Sequence, residues 1–136
     1  MKQKFEEFLK SSWGLELWLG NGIIFRSKKS GVQGLLDFIK EQGRVRGGRV
    51  SANLVIFDKI VGQAVAYLAA YLKAKEVYGA TGSKLAAAAL DKFQIKFYFR
   101  NTVPNILNKD QTDLCPMEKL SVDKTPEKFY DYLSNN

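Results

Sequence analysis

The chain has 136 residues, of which 46% are hydrophobic and 26% charged, and its net charge is +7. That size and usage fit one globular domain over residues 1–136, long enough to bury a core without covalent staples. Histidine is absent and there is one cysteine, which excludes an internal disulfide, a Cys/His zinc site and any catalytic pair that needs imidazole.

Phe5, Phe8 and Leu9 predict a short amphipathic helix over Lys2–Ser11. The same opening lacks the apolar stretch of a secretory signal, so a cytoplasmic protein with a reduced thiol is expected. Leu15, Leu17 and Leu19 alternate with Glu16 and Trp18 as in a strand. Asn21-Gly22 then predicts a hairpin into a strand over Ile23–Arg26. Val32, Leu35, Leu36 and Ile39 have helical spacing, with Ser30 or Gly31 opening the helix and Gly43 ending it. Arg44, Arg46 and Arg49 fall in a glycine-rich loop. The unbroken run Leu54–Phe57 suits a strand buried on both faces.

Asp58 follows that strand and can cap a helix over Ile60–Lys73. That helix is apolar on nearly every side, and predicts either deep packing or contact with a second copy of the chain. The longest apolar run of the chain, Ala64–Leu72, is far too short to span a bilayer, so no membrane partner is expected. Glu76–Ala80 reads as a strand, Thr81-Gly82-Ser83 as a turn, Lys84–Lys92 as an alanine-rich helix and Ile95–Phe99 as a last strand. Val103–Asp110 reads as loop, and Cys115-Pro116 and Thr125-Pro126 each carry a helix-start pattern. Alternating strands and helices imply a three-layer α/β/α sandwich around a mixed five-stranded sheet.

Two stretches carry a resemblance. Val55-Ile56-Phe57-Asp58-Lys59-Ile60-Val61-Gly62-Gln63-Ala64 is similar to the central signature of a family of small uncharacterised bacterial proteins, DUF1893. Val103–Asp110 with Cys115-Pro116-Met117-Glu118 is similar to its second signature. The resemblance covers about Gly14 to Glu118 and implies a cytidine deaminase-like fold, but no reaction. Zinc deaminases place a His/Cys-x-Glu after the central strand and Pro-Cys-x-x-Cys at the next helix. The corresponding stretches, Asp58-Lys59-Ile60-Val61 and Thr81-Gly82-Ser83-Lys84, offer no soft ligand. Zinc-dependent deamination is therefore not expected, and neither is a metal or cofactor.

In open α/β sheets ligands bind beyond the carboxyl ends of parallel strands. Ser27, Lys28, Ser30 and Gly31, then Asp58, Lys59 and Gly62, then Thr81 and Ser83 would gather at that edge. Helix starts there favour anions, and Lys28, Lys29, Lys59 and Lys84 add charge. A nucleotide-like or phosphate-bearing small molecule is the ligand class this pattern predicts. Asp58 can accept from a ribose hydroxyl or act as nucleophile or base, or serve only as a cap. Cys115 can be a nucleophile activated by a helix start, or a cap with Glu118 reaching back. Asn108 lies in a loop rich in Asn and Asp that forms either Asx-turns or a polar wall over the site. Two other classes stay open. Arg44, Arg46 and Arg49 can serve a nucleic-acid-binding module, and the aromatic residues can serve a non-enzymatic interaction module or homo-oligomer.

Overall fold

The computed structural model describes residues 1–46, 53–105 and 125–134. Among these, ten elements follow in the order α1 (Lys2–Lys10), β1 (Leu15–Leu19), β2 (Gly22–Ser27), α2 (Val32–Arg46), β3 (Leu54–Val61), α3 (Gln63–Tyr71), β4 (Glu76–Ser83), α4 (Lys84–Lys92), β5 (Lys96–Val103) and α5 (Pro126–Ser134). The strands form one mixed sheet in the order β2-β1-β3-β4-β5. β1 runs antiparallel to both neighbours, whereas β3, β4 and β5 are parallel. Five helices and a five-stranded mixed sheet make this an α/β fold.

Strand alternation divides the core. Leu54 and Ile56 join the larger apolar cluster with residues of α2, α3, α4 and α5. Val55 and Phe57 turn the other way and meet Phe5 and Phe8 of α1. Phe57 is the hub of that second cluster, with the rings of Phe5, Phe8, Trp18 and Tyr78 centred 5.3, 5.7, 5.9 and 5.3 Å away. The run Leu54–Phe57 is buried along its whole length, as a strand covered on both faces must be. Helix α3 needs no second copy to cover its apolar surface. Ala64 to Ala69 are buried within the chain, and Tyr67 packs edge-on against Phe93 and Phe129.

Several boundaries differ from the sequence reading. The hairpin turn is Gly20-Asn21, since Leu19 pairs with Gly22 and the left-handed residue is Gly20 at φ +63. A glycine at the first central position suits a two-residue loop of the II′ kind. Helix α2 passes through Gly43 and ends at Arg46, so Arg44 and Arg46 occupy its last turn rather than a loop. β3 continues three residues past Asp58, and Gly62, not Asp58, is the N-cap of α3. β4 likewise runs through Thr81-Gly82-Ser83. In each strand the extra residues are held by parallel pairing, Ile60 to Thr81 to Asn101 and Val61 to Gly82 to Thr102. Local turn propensity loses to the ladder.

Glycine at 79 and 82 makes room for the ring of Phe99 on β5. A Cβ at Gly79 would lie 3.1 Å from Phe99 Cδ1 and 2.7 Å from Val61 Cγ2, and one at Gly82 would overlap the Phe99 ring. Gly82→Ala is therefore expected to cost about 1–3 kcal/mol by overpacking. Adding Phe99→Leu removes the obstructing ring, so the double variant should lose less than the two single losses summed, measured by urea unfolding.

Candidate functional site

β2, β3, β4 and β5 all point the same way, so their carboxyl ends share one edge of the sheet. From that edge the chain enters α2 through residues 28–31, α3 through Gly62 and α4 directly from Ser83. This is the edge to which the sequence assigned a ligand.

Asp58 is fully buried there. It faces the α2 side of β3, where the Gly31 N–H donates to both of its oxygens at 3.0 and 3.1 Å. The Ile60 N–H donates to Oδ1 at 3.0 Å. Gly31 has φ +73, a left-handed turn that glycine adopts without steric cost. The connection 28–31 is also pressed down on glycines: a Cβ at Gly14 would lie 2.7 Å from the Lys28 carbonyl oxygen, and one at Gly34 2.9 Å from that of Lys29. Burial pushes the Asp58 carboxyl well above the usual carboxylate range. The backbone hydrogen bonds from Gly31, Ile60 and Lys59 and the charge of Lys59 offset part of that rise.

Lys59 is on the opposite face of the sheet. Because β3 does not end at Asp58, successive side chains alternate, and Asp58 and Lys59 cannot close on one ligand. The Lys59 ammonium donates to the Ser11 carbonyl at 2.8 Å and lies 4.8 Å from the Phe8 ring centre. Lys28 donates to Ser12 Oγ and lies over Trp13, and Lys29 pairs with Asp37 at 3.3 Å. Of the four predicted lysines, only the exposed Lys84 at the start of α4 keeps to the edge without such an engagement.

The predicted small and polar residues fare differently. Ser27 Oγ accepts from the Lys29 N–H at 3.1 Å, and Ser30 sits half-buried in the same connection. Ser83 is buried and its Oγ accepts from Ala86 N–H at 2.9 Å, capping α4. Thr81 is half-buried on β4. Gly62 takes an extended backbone and, as a glycine, brings no capping side chain to α3. The structure thus brings Ser27–Gly31, Asp58, Gly62, Thr81 and Ser83 to one edge. Asn108, Cys115, Glu118 and Arg49 lie outside the described residues. Arg44 and Arg46 are near the far end of α2, about 20 Å along the helix from its start.

Outside that edge, a buried acid that the sequence reading took only as a strand position is Glu16, a carboxylate only 4% exposed. It accepts from Trp18 Nε1–H at 3.2 Å and from Arg26 Nε–H at 3.1 Å. Arg26 stands opposite it across the β1–β2 pair, in a register that the hairpin sets. Two open grooves of about 530 and 160 Å³ flank the start of β5, at the opposite edge, and share Lys96 and Phe97. Among the described residues no three His, Cys, Asp or Glu side chains come together.

The family model for a domain of unknown function, DUF1893, matches residues 7–135. The chain belongs to that family. A crystal structure of a DUF1893 family protein from Thermotoga maritima is similar, with a TM-score of 0.82 at 25% identity over 98% of this chain and 87% of that one. No curated protein matches the sequence. Membership brings the DUF1893 fold to this chain and leaves the chemistry to its residues.

Asp58→Ala should strand the Gly31 and Ile60 N–H groups and cost about 2–5 kcal/mol. Asp58→Asn keeps an acceptor for both and should cost clearly less. The folded carboxyl titrates above its unfolded value of 3.8, so the unfolded chain ionises first. Wild-type stability should therefore fall as pH rises from that value through the folded one. Asp58→Asn should lack this component of the pH profile, measured by denaturant unfolding across the range.

Proposed function

We propose that this chain is a cytidine deaminase-like domain without zinc that binds a nucleotide-like or phosphate-bearing small molecule at the carboxyl edge of the parallel strands. The strand order and the placement of α1 against one face and α2 to α5 against the other support the three-layer, deaminase-like reading. One observation carries the ligand reading. Three helices start at this edge, and at two of the starts a side chain of the chain itself accepts a backbone N–H. Ser83 caps α4, and the Asp58 carboxyl takes the Gly31 N–H that leads into α2. Helix α3 instead starts from Gly62, which has no side chain to cap it. Its first turn is the place where a ligand's anion would be met by N–H groups and the helix dipole.

In this reading Gly62, Gln63 and Thr81 face the anion, Lys84 supplies charge, and Asp58 shapes the edge from below rather than attacking the ligand. Thermal unfolding in the presence of nucleoside mono- and diphosphates and of inorganic phosphate tests it. A ligand present at about 100 times its dissociation constant should stabilise the chain by about 2.7 kcal/mol. Gln63→Glu changes no volume and places a carboxylate in the first turn of α3. It should leave the free protein's stability within about 1 kcal/mol and abolish the ligand-induced shift. No shift with any of these compounds at millimolar concentration would sink the proposal.

A further inference from the structure

Away from that edge, the face of the sheet covered by α1 has a second feature. Both tryptophans of the chain, Trp13 and Trp18, lie half-buried against the aromatic cluster under α1. Each carries a cation over its ring. Lys4 is 4.6 Å from the Trp18 ring centre, and Lys28 and Arg26 are 4.3 and 5.3 Å from that of Trp13. Lys59 stands beside them over Phe8. The carboxylate built into this flank is Glu16, buried and bonded to Arg26. Among the described residues, Lys4, Lys28 and Lys59 make no ion pair. Two ammonium groups over the tryptophan rings and a third over Phe8 thus stand outside any ion pair among the described residues.

Trp13 and Trp18 are linked through the Arg26–Glu16 pair, with Arg26 over the Trp13 ring and the Trp18 indole N–H donating to Glu16. Two separate rings suit two bases of a short polymer, whereas a mononucleotide offers one. Both rings are half-buried and each has a cation over it, so they do not project as membrane anchors do. We propose that this flank, between α1 and the edge strand β2, binds single-stranded nucleic acid. The lysine ammoniums move from the rings to backbone phosphates, and unpaired bases take their place on Trp13 and Trp18. The surface is separate from Arg44 and Arg46, which belong to α2 on the other side of the sheet.

Because both tryptophans are in the patch, their fluorescence reports on it directly. The full chain is titrated with a single-stranded oligothymidine of about ten nucleotides. The expected result is saturable quenching whose affinity falls with salt. Lys4→Glu/Lys28→Glu should weaken binding roughly tenfold or more and reduce the salt slope by about 1.4, at about 0.7 per phosphate contact. Lys75→Glu/Lys92→Glu changes the charge equally and should weaken it much less. Trp13→Leu should weaken binding roughly 5- to 100-fold, from the value of one base–aromatic stack. The proposal is overturned if the oligonucleotide does not quench, if the two charge-reversal pairs behave alike, or if heparin quenches as strongly as the oligonucleotide. Binding to anionic phospholipid vesicles but not to the oligonucleotide would overturn it in favour of a membrane surface.

Discussion

The tie between the Asp58 carboxyl and the backbone of residues 28–31 is the constraint on which the carboxyl edge depends. A carboxyl group is expensive to bury, and here it is buried because two backbone N–H groups need an acceptor that no strand supplies. β1 begins at Leu15, level with Ser27 and Asp58 on its two neighbours. Beyond that level the chain on the β2 side must turn back over the sheet into α2. Gly31 makes the turn, Gly14 and Gly34 clear the space for it, and Asp58 fastens it. The three glycines and the acid act as one unit, since any side chain at 14 or 34 would lift the connection off the carboxyl.

The same tie explains why the edge is stepped. β3, β4 and β5 continue for several residues past the point where β1 has begun, paired with one another apart from the Lys59 N–H, which donates to the Gly14 carbonyl. Glycine at 79 and 82 lets Phe99 cover this extension, so the parallel half of the sheet is closely packed there. Helix α3 is then set by its neighbours on the sheet side and by α2, α4 and α5 around it. Its start at Gly62 follows directly on the paired end of β3.

The two faces of the sheet were given unequal covers. Residues of four helices, α2 to α5, join the larger apolar cluster, and the single nine-residue helix α1 supplies the helical part of the smaller one. One helix cannot bury five strands, so the flanks of that face are finished by large rings with polar or charged groups over them. Tyr98 is partly open beside Phe5, and Trp13 and Trp18 lie under lysines and an arginine. Cation–π contacts of this kind are a low-cost way to end an apolar surface at water. They also concentrate positive charge on one side of a molecule whose net charge is +7.

Much of the fold was legible in the sequence. The period-two run at Leu15–Leu19, the unbroken apolar run at Leu54–Phe57 and the apolar spacing in α1 and α2 identify elements whose type the local pattern decides. The α/β class, the five strands and the gathering of Ser27–Gly31, Asp58, Gly62, Thr81 and Ser83 at one edge follow from their order and right-handed parallel crossovers. What only the tertiary structure decided is where β3 and β4 stop. Asp58-Lys59 and Thr81-Gly82-Ser83 look like turn and cap residues by local chemistry, but pairing between neighbouring strands carries them on as strand. That extension moves Lys59 to the far face, buries Asp58 against Gly31 and hands the start of α3 to Gly62. Register and long-range hydrogen bonding are properties of strands that meet in space, and no window of sequence contains both partners.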